Sequence, residues 1–172
     1  IEERFDYVVE LTDIVRRRRS IFYIDEVGFQ YTMRLRYGRS LAGTRANISV
    51  PQIRSLNYTA GACMSKNGLF FFKLVDKPYN KEIYTEFIEE LMEKLQTDGV
   101  RHAVIVADNV AFHHNQQIVE RITRRGHTMK FLPPYSPFLN PIEEMFNQWK
   151  HHVRVVAPTS FATLLTAINN AS

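Results

Sequence analysis

The chain reads as an α/β protein, a mixed β-sheet flanked by helices, and three local patterns say so. Ala103–Ala107 (Ala-Val-Ile-Val-Ala) is an unbroken apolar run, as expected of a strand covered on both faces. Lys66-Asn67-Gly68 carries the Asn-Gly pair of a tight hairpin between two strand candidates, Tyr58–Met64 and Leu69–Val75. Asn80–Gln96 is amphipathic: Ile83, Phe87, Leu91 and Leu95 share one side at helical spacing, and Glu82, Glu86, Glu89 and Glu93 share another.

The remaining elements follow in order. Residues 4–15 set Phe5, Val8, Val9 and Val15 near helical spacing, which predicts a helix. Ser20–Gly28 reads as a short buried strand that meets an acid, Asp25, near its end. Residues 30–37 alternate like an exposed strand, and Gly38 and Gly43 then punctuate a basic loop. Gly99 stops the long helix, and Gly126 stops a helix predicted over His114–Arg125. Met129–Leu132 is a short strand, followed by a rigid loop, Pro133-Pro134-Tyr135-Ser136-Pro137. A helix from Pro141 to about Val153 turns Ile142, Met145, Phe146 and Trp149 inward. A last helix starts at Phe161, capped by Thr159 or Ser160.

Composition narrows the class. At 172 residues the chain makes one domain, with 45% hydrophobic and 23% charged residues, an ordinary globular mix that excludes a disordered or collagen-like chain. No apolar run approaches the ~18 residues of a membrane span. Cys63 is the single cysteine, so a disulfide scaffold and a Cys–His zinc cluster are both excluded. Neither a Gly-rich phosphate loop nor a Gly-x-Ser-x-Gly elbow is present. The chain begins at Ile1, inside a helical pattern, which reads as a piece of a longer protein.

Charge is unevenly spread around a net +4. The 49 positions between Glu26 and Asp76 hold no acid, where about five would be expected at the chain's average acid frequency. The same stretch holds Arg34, Arg36, Arg39, Arg45, Arg54, Lys66 and Lys73. It is either a solvated face or a cationic face that tracks phosphates, with the acidic helix after Asn80 turned away. The run Arg16-Arg17-Arg18-Arg19 reads as a basic linker, an import patch or a DNA contact.

Three acids stand where chemistry would need them. Asp25 is on the first buried strand, Asp108 ends the second, and Glu143 opens the helix after the proline loop. Strand ends and a helix start can converge at one edge of a sheet. Three carboxylates there repel one another, and a divalent cation resolves the repulsion. An all-oxygen set favours Mg²⁺ or Mn²⁺ over zinc. Each acid also has a plainer use: an Asp at a strand end caps a turn, and Asn140-Pro141-Ile142-Glu143 is a good helix start with Asn as N-cap. Spacing alone does not separate Glu26 and Glu144 from their neighbours.

Sequence around the acids adds to this. Asp108-Asn109-Val110-Ala111-Phe112-His113-His114 and Leu132–Glu143 (Leu-Pro-Pro-Tyr-Ser-Pro-Phe-Leu-Asn-Pro-Ile-Glu) closely resemble the second and third catalytic blocks of mariner-like DDE transposases and their bacterial insertion-sequence relatives. Tyr23-Ile24-Asp25-Glu26-Val27-Gly28-Phe29 resembles the first block, and the likeness covers about residues 20–155. The 34 residues between Asp108 and Glu143 match the spacing of one branch of that superfamily. The mariner branch proper usually ends its triad in Asp, so Glu143 sets this chain outside it. Where the family often shows Trp and Gly, this chain has Tyr37 and Gly38.

The resemblance implies an RNase H-like fold and metal-dependent cleavage at transposon ends, followed by attack of the freed 3′-hydroxyl on target DNA. Asp25, Asp108 and Glu143 fall at the family's catalytic, metal-binding positions. Mg²⁺ is the implied cofactor, with Mn²⁺ able to substitute. DNA is the implied partner, and paired ends imply a homodimer, with no membrane involved. Residues 1–19 are then a helical, basic lead-in to a catalytic domain over 20–172, with an upstream DNA-binding domain outside this chain. The implied compartment is nuclear in a eukaryote and cytoplasmic otherwise. Candidate DNA contacts are Arg34, Arg36, Arg39, Arg45, Asn109, His113 and Tyr135. His113 fits the family's Asp-Asn-x-x-x-His pattern, placed to orient Asp108 or touch a phosphate. Tyr31, Tyr37 and Tyr135 could stack on unpaired bases or simply pack. Two other functions remain open: a domesticated scaffold that binds DNA without cutting it, and an RNase H-type nuclease whose fourth carboxylate would be Glu26 or Glu144.

Overall fold

β4 (Val104–Ala107) has no polar side chain to offer water, and all four of its residues are buried. The sheet is arranged around that fact. The structure, a computed structural model, describes residues 2–35, 37–48, 56–109 and 116–171. Among them the elements are α1 (Glu2–Arg16), β1 (Ile21–Phe29), β2 (Tyr58–Ser65), β3 (Gly68–Val75), α2 (Lys81–Thr97), β4, α3 (Gln116–Arg124), β5 (Thr128–Phe131), a 3₁₀ turn at Pro137–Leu139, α4 (Ile142–Val156) and α5 (Phe161–Asn170). The strand order is β3-β2-β1-β4-β5. β1, β2 and β3 form an antiparallel meander, while β4 and β5 run parallel to β1.

Side-chain alternation along the strands divides the core between the two faces. Phe22, Ile24, Cys63, Ile105 and Ala107 pack with the buried stripe of α2 and with Ile118 and Ile122 of α3. Val27, Phe29, Ala60 and Ala62 pack with α4 and α5. Tyr7, Leu11 and Ile14 of α1 cover Val104 and Val106 of β4. No helix among the described residues is long and apolar enough to cross a membrane.

Local chemistry sets the element boundaries. Asn80 caps α2 by accepting from the Ile83 N–H at 2.9 Å, and the buried stripe is wider than the sequence pattern indicated, adding Tyr84, Ile88 and Met92. The hairpin forms with Gly68 at φ 106°, a left-handed value that favours glycine. Ser160, rather than Thr159, caps α5 in a reciprocal capping box with Thr163. In α4 the Trp149 Nε1–H donates to the Ile168 carbonyl at 3.0 Å, and its ring takes the edges of Phe29 and Phe72.

The strand expected over 30–37 is absent from the described residues there. Tyr31 and Thr32 make a turn straight after β1, and the Met33 N–H donates to the Gln30 carbonyl at 3.1 Å. The alternating segment could not pair with the strand it follows: β1 is already flanked by β2 and β4, and the sheet's open edges belong to β3 and β5. Local periodicity cannot see that both neighbours are taken.

One close approach is worth a test. A Cβ added at Gly61 in β2 would lie 2.5 Å from the Tyr79 hydroxyl oxygen, and that hydroxyl is held by the Lys73 carbonyl at 2.9 Å. Gly61→Ala is expected to destabilise the domain by about 1–3 kcal/mol through overpacking. A chemical denaturation midpoint that does not fall would show that Tyr79 yields freely.

Candidate active site

β1 and β4 are paired in parallel, with Tyr23 opposite Val106. Two residues further on, β1 reaches Asp25, and the chain leaving β4 reaches Asp108 just past the strand's end, on the same side of the sheet by alternation. The chain leaves β5 through Leu132 and the proline loop and turns back at Pro137–Leu139, so that α4 starts over the same sheet end. The result is a cleft of about 450 Å³ bounded by Asp25, Asp108, Asn109, Pro133–Pro137, Asn140 and Glu143. Three acids from two strands and a helix therefore share one wall. Glu26 and Glu144 are not among the residues that bound it. Alternation along β1 separates Glu26 from Asp25, because successive side chains point to opposite faces.

Asp25 carries the electrostatic signature of the site. Burial pushes its carboxyl up to about 7; the Glu26 N–H, donating to its Oδ1 at 2.8 Å, opposes that, and the charges of Glu26, Asp108 and Glu143 add to the rise. Like-charge repulsion reaches Asp25 from both of the other acids. The three do not form a ready-made ion cage: among the described residues no group of three His, Cys, Asp or Glu side chains is placed to hold a metal ion. What they form is a shared cleft whose acids raise one another's charge cost at Asp25.

Asn140 is the residue the sequence reading assigned wrongly. It does not cap α4. The N-cap position belongs to Pro141, there is no side-chain cap hydrogen bond, and Asn140 is reduced to offering its carbonyl to the Glu143 N–H at 3.2 Å. Its side chain, 3% exposed, crosses the cleft instead and donates Nδ2–H to Asp25 Oδ2 at 3.1 Å. The carboxylate decides which way the amide points. Its Oδ1 is then buried with no hydrogen-bond partner. With the capping box absent, Glu143 is exposed at the cleft wall. The only hint in the sequence was that Pro141 follows Asn140 and can take the helix start itself.

The other candidates are dispersed. Asn109 and Tyr135 bound the cleft; Tyr135 is 92% exposed and sits at φ 53°, an unusual left-handed value for a tyrosine. Arg4 of α1 steadies that loop, donating to Ser136 Oγ at 2.9 Å and to the Tyr135 carbonyl at 3.0 Å. Arg34 is half-buried, its guanidinium tied to the carbonyls of Tyr31, Met33 and Pro158. Lys73 is held by Glu86 and Glu90 of α2 at 3.0 and 2.7 Å, so the acidic helix neutralises part of the acid-free stretch rather than turning away from it. Arg39 and Arg45 are exposed in coil. Tyr31 packs against the α4 side of the core, and Tyr37 is 90% exposed. Arg36, Arg54, His113 and His114 lie outside the described residues.

Comparison with known proteins gives this geometry a context. Residues 20–164 match the family described as DDE superfamily endonuclease. The chain belongs to that family.

Among the relatives of this DDE endonuclease domain, the transposable element Tcb2 transposase of Caenorhabditis briggsae is 27% identical over 111 residues, 61% of this chain and 41% of that protein. The mariner Mos1 paired-end complex with Mg superposes with a TM-score of 0.79 at 14% identity, over 98% of this chain and 53% of that one. The crystal structure of the catalytic domain of Mos1 mariner transposase gives 0.72 at 13% identity, over 98% of this chain and 78% of that one. The DDE endonuclease domain thus has the RNase H-like fold of a mariner-type transposase catalytic domain. It spans about half the length of the transposases it matches.

Proposed function

We propose that this DDE endonuclease domain is the catalytic part of a DNA transposase. It would cut phosphodiester bonds at element ends and transfer the freed 3′-hydroxyl into target DNA. The observation that carries this reading is the placement of Asp25, Asp108 and Glu143, separate in sequence, on one cleft in a chain of this family. Asp25, Asp108 and Glu143 would hold a divalent cation, Mg²⁺ or Mn²⁺. The donor set suits a hard ion, the mutual repulsion at Asp25 is what a cation relieves, and the unpartnered Asn140 Oδ1 adds a neutral oxygen. When bound, such ions lower the pKa of an attacking water and stabilise the charge on the leaving oxygen. The Mos1 complex with Mg supports this choice of ion, and the Mos1 paired-end complex with the left transposon end supports DNA as partner; a homodimer assembled on two ends is part of the proposal.

The chain's own residues would do the rest. Asp25, deprotonated on binding, Asp108 and Glu143 would hold the cation whose charge lets the scissile phosphate enter the cleft. Asn140 holds Asp25 in one orientation. Asn109 and Tyr135 border the path of the strand. An end-labelled duplex incubated with Mg²⁺ or Mn²⁺ tests the proposal: strand-transfer product supports it, nicking alone favours a nuclease, and binding without cleavage favours a domesticated scaffold.

Asn140→Ala is expected to lower cleavage about 10–100-fold, the usual effect of losing an outer hydrogen bond to an ion-binding side chain. It removes a donor that favours the ionised form of Asp25, so the pH at which cleavage turns on should move upward. A pH–rate profile unchanged in shape would reduce Asn140 to a packing role.

A further inference from the structure

The sheet end opposite the carboxylates is where cations gather. α2 and α3 both stop there, and loops 98–103 and 125–127 lead into β4 and β5. Between them lies a cavity of about 510 Å³ bounded by Arg101, His102, Arg124, Arg125 and His127, together with Gln96 and apolar groups; no Asp or Glu bounds it. Arg19 closes one side, donating Nε–H to the His102 carbonyl at 2.9 Å and Nη2–H to Thr128 Oγ1 at 2.8 Å. His102 reaches that position at φ 53°.

His127 makes this more than a solvated patch. It is 5% exposed, and its Nδ1 accepts from the Ala103 N–H at 3.2 Å. The ring proton is therefore on Nε2, which makes this cavity-lining side chain an N–H donor. Burial, and then the positive field of His102, Arg125 and Arg19, lowers its pKa and keeps this neutral donor tautomer in place at neutral pH. Arg125 donates to Gln96 Oε1 at 2.8 Å and lies 3.8 Å from the carboxylate of Glu89, a side chain that does not bound the cavity. Arg124 meets Glu120 at 3.3 Å, but with 78% of its side chain exposed that pairing is weak. Two or more guanidinium forks and one N–H donor around an acid-free cavity are the recognition chemistry of a phosphate.

We propose that this cavity binds a backbone phosphate of duplex DNA, so that the domain grips DNA at the end of the sheet remote from its carboxylates as well as at the cleft. The partner is taken from the proposed function; the site is separate from it, since four residues of β4 at about 3.3 Å each set it some 13 Å or more from Asp108. Duplex DNA is favoured over a lone anion because the cationic surface does not end at the cavity. Exposed Arg16 and Arg18 continue it past Arg19, a strip fit for successive phosphates.

The test is binding of the whole chain to a fluorescent 20-base-pair duplex in EDTA, read by anisotropy across a salt series. The double variant Arg101→Gln/Arg124→Gln alters two exposed side chains. It should weaken binding about tenfold at ~0.1 M salt and flatten the log–log salt slope by about 2. Lys77→Gln/Lys81→Gln, which removes equal charge at exposed positions outside both the cavity and the acid-free stretch, should change affinity less than about twofold. Equal losses in the two double variants, or no loss in the first, overturn the proposal. Nitrogen-15 NMR of the His127 ring adds a direct readout. A shift on adding duplex supports the site, whereas a shift with inorganic phosphate and none with duplex assigns it to a free anion and overturns the DNA reading. No cleavage is measured, since EDTA withholds the divalent cation that cleavage would need. Failure here leaves the cleavage reading intact, and a cleavage-dead chain leaves this one intact.

Discussion

Glu143→Gln is expected to abolish DNA cleavage, as are Asp25→Asn and Asp108→Asn, each lowering it by roughly 10³-fold or more while the domain keeps its fold. The size of the effect follows from what each carboxylate would do: supply negative charge to ions that stabilise both oxygens of an in-line displacement. An amide of the same shape keeps the volume and removes the charge. The fold survives because none of the three acids belongs to the hydrophobic core. The informative control is Glu144→Gln. Glu144 is exposed on the same helix turn, and the cleft is bounded by Glu143 without it. If Glu144→Gln kills cleavage and Glu143→Gln does not, the helix has been read one residue out of register. If neither does, the cleft is not where cutting occurs.

The second large effect is on stability, and it has the opposite sign. In the unfolded chain Asp25 titrates near 3.9; in the folded domain burial, then the charges of Glu26, Asp108 and Glu143, push it up to about 7 against the opposing Glu26 N–H. Below about pH 4 the carboxyl is protonated in both states and costs nothing. Between about 4 and 7 the unfolded chain gives up its proton and the folded domain retains it. The folded state then binds more protons, and stability falls as pH rises. Above 7 the loss is complete, at most about 4 kcal/mol for a shift of this size. Asp25→Asn removes the titration, so at pH 8 in EDTA the variant should be more stable than wild type by about 1–3 kcal/mol, and near pH 4 the difference should vanish. Mn²⁺ should raise the wild-type midpoint and leave that of the variant nearly unmoved. Denaturation midpoints across pH check all three statements; a variant no more stable than wild type at pH 8 would mean that the carboxylates are not crowded. A domain that is destabilised where it works, and strengthened by losing its activity, is what a strained cation site entails.

Much of this was legible in order along the chain. An apolar run buried on both faces, a hairpin turn and a wide amphipathic stripe are local signals, and β4, the β2–β3 hairpin and α2 all formed where those signals stood. The three acids were legible as candidates because each lies in or beside an element that local sequence defines, although Asp25 stands midway along β1 rather than near its end. Residues 30–37 show where that legibility stops. An alternating segment becomes a strand only if a neighbour has a free edge, and β1 had none to give. Arg34 shows it again: its charge could be read, but not the three carbonyls that take up its guanidinium.

The sequence by itself determined the elements, their order and which acids were candidates, because periodicity, turn chemistry and residue type act over a few positions. Only the tertiary structure decided that Asn140 serves Asp25 rather than the helix it precedes, that Glu143 and not Glu144 bounds the cleft, and that His127 joins arginines from four loops and helices around one cavity. Each of these is a contact between residues far apart in sequence, set by strand register and by which side chain a partner leaves unpaired, and no local pattern records it.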